Sequence, residues 1–254
     1  MTLSVVVITY NEEASIGRLL ESVRPADEHI VLDCGSTDRT LEIARAFGAK
    51  TFTEEWKGYS AQKNSAIEKA TGDWVLSLDA DEAVEPGLME EIRHVVGHNP
   101  PVNGYYIPRK NYFLGRWIRH GGFYPDRKLR LFRRGRGRFG GRPVHEVVQV
   151  DGPTGTLNHA LMHNAYPTLE GYITHMNRYS SLGAEIVTEK GKTRFSLLNI
   201  VINPLATFLY NYFLRLGLLD GREGLLLNLY HSVYVSWKYA KAWELARATP
   251  PEPR

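Results

Sequence analysis

The chain has 254 residues, room for one large α/β domain or one domain with a modest appendage, and its 43% hydrophobic and 23% charged residues exclude a disordered or fibrous chain. One cysteine excludes an internal disulfide framework and an all-cysteine metal cluster, and fits a reducing compartment. The net charge of +3 hides opposed segments: residues 1–100 carry 9 Lys+Arg against 18 Asp+Glu, residues 101–150 carry 12 against 2, and residues 151–254 carry 10 against 8. An acidic wall suits a cation and a basic wall an anion, and the two could face one site.

The opening MTLSVVVITYNEE is apolar for too short a run, and lacks the basic leader, for a signal peptide. Within it, Ser4–Thr9 reads as a strand buried on both faces. Asn11 is a good N-cap for a helix whose Ile16, Leu19, Leu20 and Val23 share a face, and Pro25 ends that helix. His29–Asp33 is a second strand. The turn Gly35-Ser36-Thr37-Asp38, with Ser36 or Thr37 as cap, opens a helix through about Phe47. Ala49–Thr53 is a weaker third strand, Tyr59–Ala70 a helix with Gly72 past its end, and Trp74–Leu78 a fourth strand running into Asp79-Ala80-Asp81-Glu82. Pro86 opens a helix through about Val96.

Strand–helix–strand at this spacing implies right-handed crossovers and a parallel sheet, which holds ligands beyond the carboxyl ends of its strands. The polar turns at Asn11-Glu12, Asp33–Asp38 and Asp79–Glu82 should therefore meet at one edge. Further on, Gly104–Arg109, Lys128–Phe132 and Val144–Val150 read as strands, 168–194 as helix, and 195–243 as an apolar helical hairpin around Leu218-Leu219-Asp220-Gly221. That hairpin suits packing on the α/β domain, a homo-oligomer contact or the membrane interface. Phe195–Leu214 has no charge, but Ser196, Asn199, Asn203, Pro204, Thr207 and Asn211 argue against a span.

Asp79 and Asp81, two residues apart as a buried strand ends, can both reach one hard divalent cation; the plain alternative is a solvated acidic turn. The absence of Gly-x-Gly-x-x-Gly after the first strand, and of a phosphate-binding Gly-x-x-x-x-Gly-Lys-Ser/Thr, counts against a dinucleotide dehydrogenase and a P-loop kinase. Asp33, ending a buried strand, can accept from a uracil imide or ribose hydroxyls. Arg130, between Leu129 and Leu131, could point into the site and meet a diphosphate. Arg116, Arg119, Arg127, Arg133, Arg134, Arg136, Arg138 and Arg142 read as a solvated face or a surface for an anionic acceptor or headgroups, with nucleic acid disfavoured by the acidic turn.

Val5–Glu13, Asp33–Asp38 and Trp74–Glu82, in this order and spacing, resemble the nucleotide-binding half of inverting glycosyltransferase family 2, an α/β GT-A fold. Tyr124-Pro125-Asp126, Arg130-Leu131-Phe132, Val144-His145-Glu146 and Leu218–Gly221 are similar to the bacterial branch that includes lipopolysaccharide core β-glucosyltransferases. The resemblance implies a nucleotide-sugar-binding half over 1–100, an acceptor-binding and catalytic half over 101–167 and a helical region over 168–254. It implies that Thr9, Glu12 and Asp33 hold the nucleoside, that Lys63 or Asn64 lies near the nucleotide, that Asp79 touches ribose or metal, and that Asp81 binds Mn²⁺ or Mg²⁺ bridging the diphosphate. A solvent-facing role is equally open to Lys63. His163 is a candidate third metal ligand. An inverting transfer needs a carboxylate base after Asp81, and residues 101–150 hold only Asp126 and Glu146. Glu146 follows a basic loop and opens a strand, although the family often has Glu-Asp where this chain has His-Glu. Asp126 is the second candidate.

These readings lead to a cytoplasmic enzyme, peripheral on the cytoplasmic face of the inner membrane. It moves a hexose, glucose foremost, from a UDP-linked donor to a hydroxyl of a glycolipid or polysaccharide precursor and takes no nucleic acid. The alternatives are a nucleotidyltransferase acting on a sugar phosphate and a non-catalytic membrane or nucleic-acid adaptor.

Overall fold

The computed structural model describes residues 1–140 and 147–248. They form two compact units, Met1–Lys110 with Pro125–Asn164, and Asn111–Tyr124 with Ala165 onward.

The first unit is built on a seven-stranded sheet. Its strands are β1 (Leu3–Thr9), β2 (Glu28–Asp33), β3 (Lys50–Thr53), β4 (Trp74–Asp79), β6 (Gly104–Ile107), β9 (Lys128–Arg133) and β12 (Thr154–Thr156), in the order β12-β6-β9-β4-β1-β2-β3. The pairs β4–β1, β1–β2 and β2–β3 are parallel, and β9 enters antiparallel between β6 and β4. Register puts Thr9 opposite Asp33 and Ile8 opposite Asp79, so the three polar turns do leave one edge.

Alternation along β1 explains both faces. Leu3, Val5 and Val7 pack in one core cluster with Ile16, Leu19 and Leu20 of α1 (Ile16–Ser22), Ala44 of α2 (Thr40–Ala46) and Leu88 and Ile92 of α4 (Pro86–Gly97). Val6 packs on the other face with Ala66 and Ile67 of α3 (Tyr59–Glu68) and with Phe139 and Val148 from the hairpin of β10 (Gly137–Gly140) and β11 (Val147–Val150). Gly72 is needed where α3 returns to β4: a Cβ there would stand 2.7 Å from Ser4 Oγ and 2.9 Å from Ser4 N.

Three local expectations change. Asn11 is not the cap of α1, which starts at Ile16 after Ser15; Asn11 adopts φ 54°, and it bonds Ser36 Oγ through its N–H and Thr37 N through its Oδ1. A short amide side chain tolerates that left-handed turn as readily as a cap. Neither Ser36 nor Thr37 caps α2: its N-cap position is Arg39, and Asp38 just before it accepts from Thr40 N and Oγ1 and from Glu13 N. The strand read over Gly104–Arg109 is divided at Pro108, with β7 (Arg109–Phe113) following.

The chain leaves the first unit within β7 and again within β13 (Leu161–Tyr166), whose first residues pair antiparallel with β5 (Glu82–Val84). In the second unit, β8 (Arg116–Trp117) closes a hairpin on β7. Three helical stretches follow: α5 (Leu169–Glu189), a run from Leu198 to Leu214 that is α-helical as α6 (Asn203–Leu209) and π-helical on both sides, and α7 (Gly221–Ala248). The expected C-terminal hairpin is thus present, turned at Leu216–Asp220. Asp220, 2% exposed, anchors the turn by accepting from Arg119 N, His120 N and the His120 ring. Phe113, Ile118, Tyr172 and Leu227 form this unit's principal core.

Candidate active site

At the carboxyl edge of the sheet, Asp33 ends β2 fully buried. One of its oxygens accepts from Thr9 Oγ1 at 3.0 Å and from Ser36 Oγ, and the other from Gly35 N at 2.8 Å and Ser36 N at 2.7 Å. The carboxylate's accepting positions are thereby taken, so in this structure Asp33 ties Thr9 of β1 to the turn at Gly35-Ser36. Glu12 lies beside the second acidic turn. Burial pushes its carboxyl above the usual range against a Ser15 hydrogen bond, and the charges of Asp81 and Asp38 add to the rise. Arg18 of α1 reaches the Asp81 carbonyl at 3.1 Å, tying the first and third turns together.

Asp79 and Asp81 separate in function. Asp79 pairs with Lys63 Nζ at 2.6 Å and with Arg130. Burial opposes ionisation, yet the guanidinium of Arg130 and the ammonium of Lys63 hold the Asp79 carboxyl far below the usual range. Lys63 is 7% exposed, lies 5.1 Å from the centroid of the Phe139 ring, and is not a solvent-facing helix lysine. Asn64 spends its amide on both backbone groups of Phe139 and so positions β10. Asp81 points the other way, with its side chain 38% exposed and Oδ2 3.1 Å from His163 Nε2.

Arg130 reaches this cluster through a bulge. Tyr105 and Tyr106 of β6 oppose Leu131 and Leu129, which leaves Arg130 as the extra residue of β9. Its guanidinium meets Asp79 and, at 2.9 Å, Glu82. Its Nε is buried without a hydrogen-bond partner, a donor in reserve at the centre of the site. Glu82, fully buried, also accepts from Arg109 at 3.2 Å and from Asp79 N at 3.0 Å. Arg109 in turn grips Asp126 through Nε at 3.0 Å and a terminal nitrogen at 2.6 Å, and Lys128 adds a contact at 3.0 Å. Against the effect of burial, Arg109 and then Lys128 lower the Asp126 carboxyl to about 2. A carboxylate so held is a weak proton acceptor near neutrality. Glu146, with Arg142, Val144 and His145, lies outside the described residues.

The structure therefore brings together Glu12, Lys63, Asp79, Asp81, Asp126, Arg130 and His163, with Thr9 and Asp33 at the adjoining strand ends. It does not gather Asp79, Asp81 and His163 into one ligand set: among the described residues no group of three or more His, Cys, Asp or Glu side chains is arranged for a metal. Asp79 is drawn away by its two cations. The pair that remains, the Asp81 carboxylate and the His163 imidazole, has the donor chemistry that would hold a divalent cation of the Mn²⁺ kind. Arg109 and Glu82 are functional neighbours that the sequence reading missed, because buried ion pairs 27 and 48 positions apart leave no periodic signal. Most of the remaining arginines serve the fold: Arg133 covers the Trp74 ring, Arg134 bonds the Gly72 carbonyl, Arg136 pairs with Asp151 and Arg119 stacks on Trp117.

Comparison with known proteins gives this edge a context. Residues 4–151 match the model of glycosyl transferase family 2. The lipopolysaccharide core biosynthesis glycosyltransferase LpsC of Rhizobium meliloti is 30% identical over 96% of this chain and 93% of its own. An uncharacterized glycosyltransferase of Rickettsia typhi is 32% identical over 96% and 87%. Among solved structures, S. aureus TarS in complex with UDP is 18% identical, covers 98% of this chain and 92% of that one, and has a TM-score of 0.48. With a family match over more than half of the chain, and relatives matched nearly end to end, the α/β fold is of the GT-A class and the protein is a glycosyltransferase belonging to glycosyl transferase family 2.

Proposed function

We propose that the protein is an inverting, metal-dependent hexosyltransferase that takes glucose from UDP-glucose and adds it to a hydroxyl of a lipopolysaccharide or related glycolipid precursor at the cytoplasmic face of a membrane. The observation that carries this reading is the division of labour at one edge: a carboxylate–imidazole pair, Asp81 and His163, beside buried cations, Lys63 and Arg130. The lipopolysaccharide assignment follows the similarity to LpsC. The glucose and uridine assignments follow the resemblance of the sequence motifs.

Thr9, Glu12 and Asp33 shape the nucleoside end of the pocket. Lys63 and Arg130 are close enough to exchange part of their pairing with Asp79 for the donor's phosphate oxygens, and the unpartnered Nε–H of Arg130 is ready for such an anion. Asp81 and His163 would hold the divalent cation, which when bound neutralises charge on the departing diphosphate. The acceptor oxygen attacks the anomeric carbon from the side opposite the diphosphate. As the new C–O bond forms, the bond to the diphosphate breaks and takes its electron pair with it, and the hydroxyl proton passes to Glu146. Asp126, locked by Arg109, positions the cationic wall and is not the base.

Identification of the leaving group tests this reading. With Mn²⁺ and a lipid-linked acceptor, release of UDP and a product of inverted anomeric configuration support it. Release of pyrophosphate from a nucleoside triphosphate would establish the nucleotidyltransferase reading instead.

A further inference from the structure

The helical run between α5 and α7 is inside out. Ser196, Asn199, Asn203, Thr207 and Asn211 recur at spacings of three and four, and all are at least partly buried. Asn203 donates to the Asn199 side chain at 3.0 Å, Thr207 to the Asn203 carbonyl at 2.8 Å, and Ser236 of α7 to the Ile200 carbonyl at 2.8 Å. The opposite side presents Phe195, Leu198, Val201, Leu205, Leu209 and Phe213, each 45–57% exposed, and ends at Leu214, 75% exposed. A helix bordering water carries the reverse pattern, so this face is built for an apolar neighbour.

The charges indicate which neighbour. Lys190, Lys192 and Arg194 precede the run, Arg215 and Arg222 follow it, and all five are exposed. No Asp or Glu occurs from 190 to 219, and Asp220 is buried and committed to residues 119–120. A second copy laid on this face, parallel or antiparallel, would set cation against cation at both ends. An anionic bilayer satisfies both features at once: apolar side chains enter the acyl boundary while the flanking cations meet headgroup phosphates. Tyr210, 51% exposed beneath the Arg215 guanidinium, suits the interfacial level. Among the described residues no helix is long and apolar enough to cross a membrane, so the run would lie in the plane of the surface.

We propose that residues 190–222 dock the protein on an anionic lipid surface, with the face from Phe195 to Leu219 inserted. The inference stands on this segment alone and does not depend on the transfer reaction. Cosedimentation of the full chain with phosphatidylglycerol–phosphatidylcholine vesicles, and with phosphatidylcholine alone, tests it. Binding should be about tenfold tighter to the anionic vesicles. Leu198→Gln/Leu205→Gln/Leu214→Gln should weaken it about tenfold or more. Arg194→Gln/Arg215→Gln should remove most of the anionic preference and the salt sensitivity, and both variants should keep wild-type donor binding. The proposal is overturned if wild-type protein leaves both vesicle types unbound, or if the two variants bind as tightly as wild type. It is also overturned if the protein is a dimer that the leucine variant converts to a monomer without any vesicle binding, which would assign the face to a second copy.

Discussion

His163 Nε2 stands 3.1 Å from Asp81 Oδ2, joining β13 to the acidic turn after β4 across 82 positions of sequence. The proposed ligand pair is thus assembled from a strand and a turn. His163→Ala should weaken Mn²⁺ binding by at least about 10- to 100-fold, since losing even an outer-shell partner of a metal ligand costs that much, with little change in fold. Mn²⁺ titration of the donor complex followed by thermal unfolding measures this. An unchanged Mn²⁺ midpoint would remove His163 from the ligand set.

Asp79 and Asp81 should respond oppositely to the same substitution. Asp79→Asn leaves Lys63 and Arg130, with side chains only 9% and 7% exposed, without their shared counter-charge. A loss of about 3 kcal/mol in urea unfolding is expected. Asp81→Asn, at a site 38% exposed, should change stability by less than about 0.5 kcal/mol while abolishing the Mn²⁺-dependent part of donor binding. Equal stability losses would contradict the separation of roles.

The acid limb of stability follows from Asp126, held at about 2 against an ordinary 3.8. A folded-state value below the unfolded one means that the native state binds fewer protons. The contribution, about 2 kcal/mol, is complete above roughly pH 4 and disappears as the pH falls toward 2. Glu28, bonded by Lys50, Ser4 and Thr71 against its burial, is likewise lowered to about 2 and adds in the same direction. Asp126→Asn should lower stability near neutrality and flatten the slope between pH 4 and 2, as read from urea midpoints across that range. An unchanged slope would show that the Arg109 pair stabilises nothing.

Much of the transferase edge is legible in the sequence, for a physical reason. Strands β1, β2 and β4 are buried on both faces, so they stand out as continuous apolar runs, and a parallel sheet must bring their carboxyl ends together. Side-chain pairing is less legible. Arg130 is aimed by a bulge that simple alternation does not contain, and Lys63 has the same sequence context whether it faces water or Asp79. Glu82 and Arg109 are recognisable only once β5 and β7 are in place. The uncharged run at 195–214 is plain in composition, but which of its faces is exposed depends on α7.

Glu146→Gln should preserve donor binding and reduce transfer at least about 100-fold, in keeping with the loss of a general base. Asp126→Asn should instead act through stability and the placement of Arg109, leaving in place the acidic limb of the pH–rate profile, where protonation of the base lowers the rate. If Asp126→Asn alone removes that limb, Asp126 is the base.

A divalent cation at the Asp81 corner is expected to grip the donor. Thermal unfolding of the purified chain across a panel of nucleotide sugars, with and without Mn²⁺, tests it most directly, since a ligand of the native state raises the midpoint. UDP-glucose with Mn²⁺ should raise the midpoint in wild type and fail to do so in Asp81→Ala. Absence of any shift with UDP-, GDP- or ADP-sugars, or an equal shift in Asp81→Ala, would contradict the account.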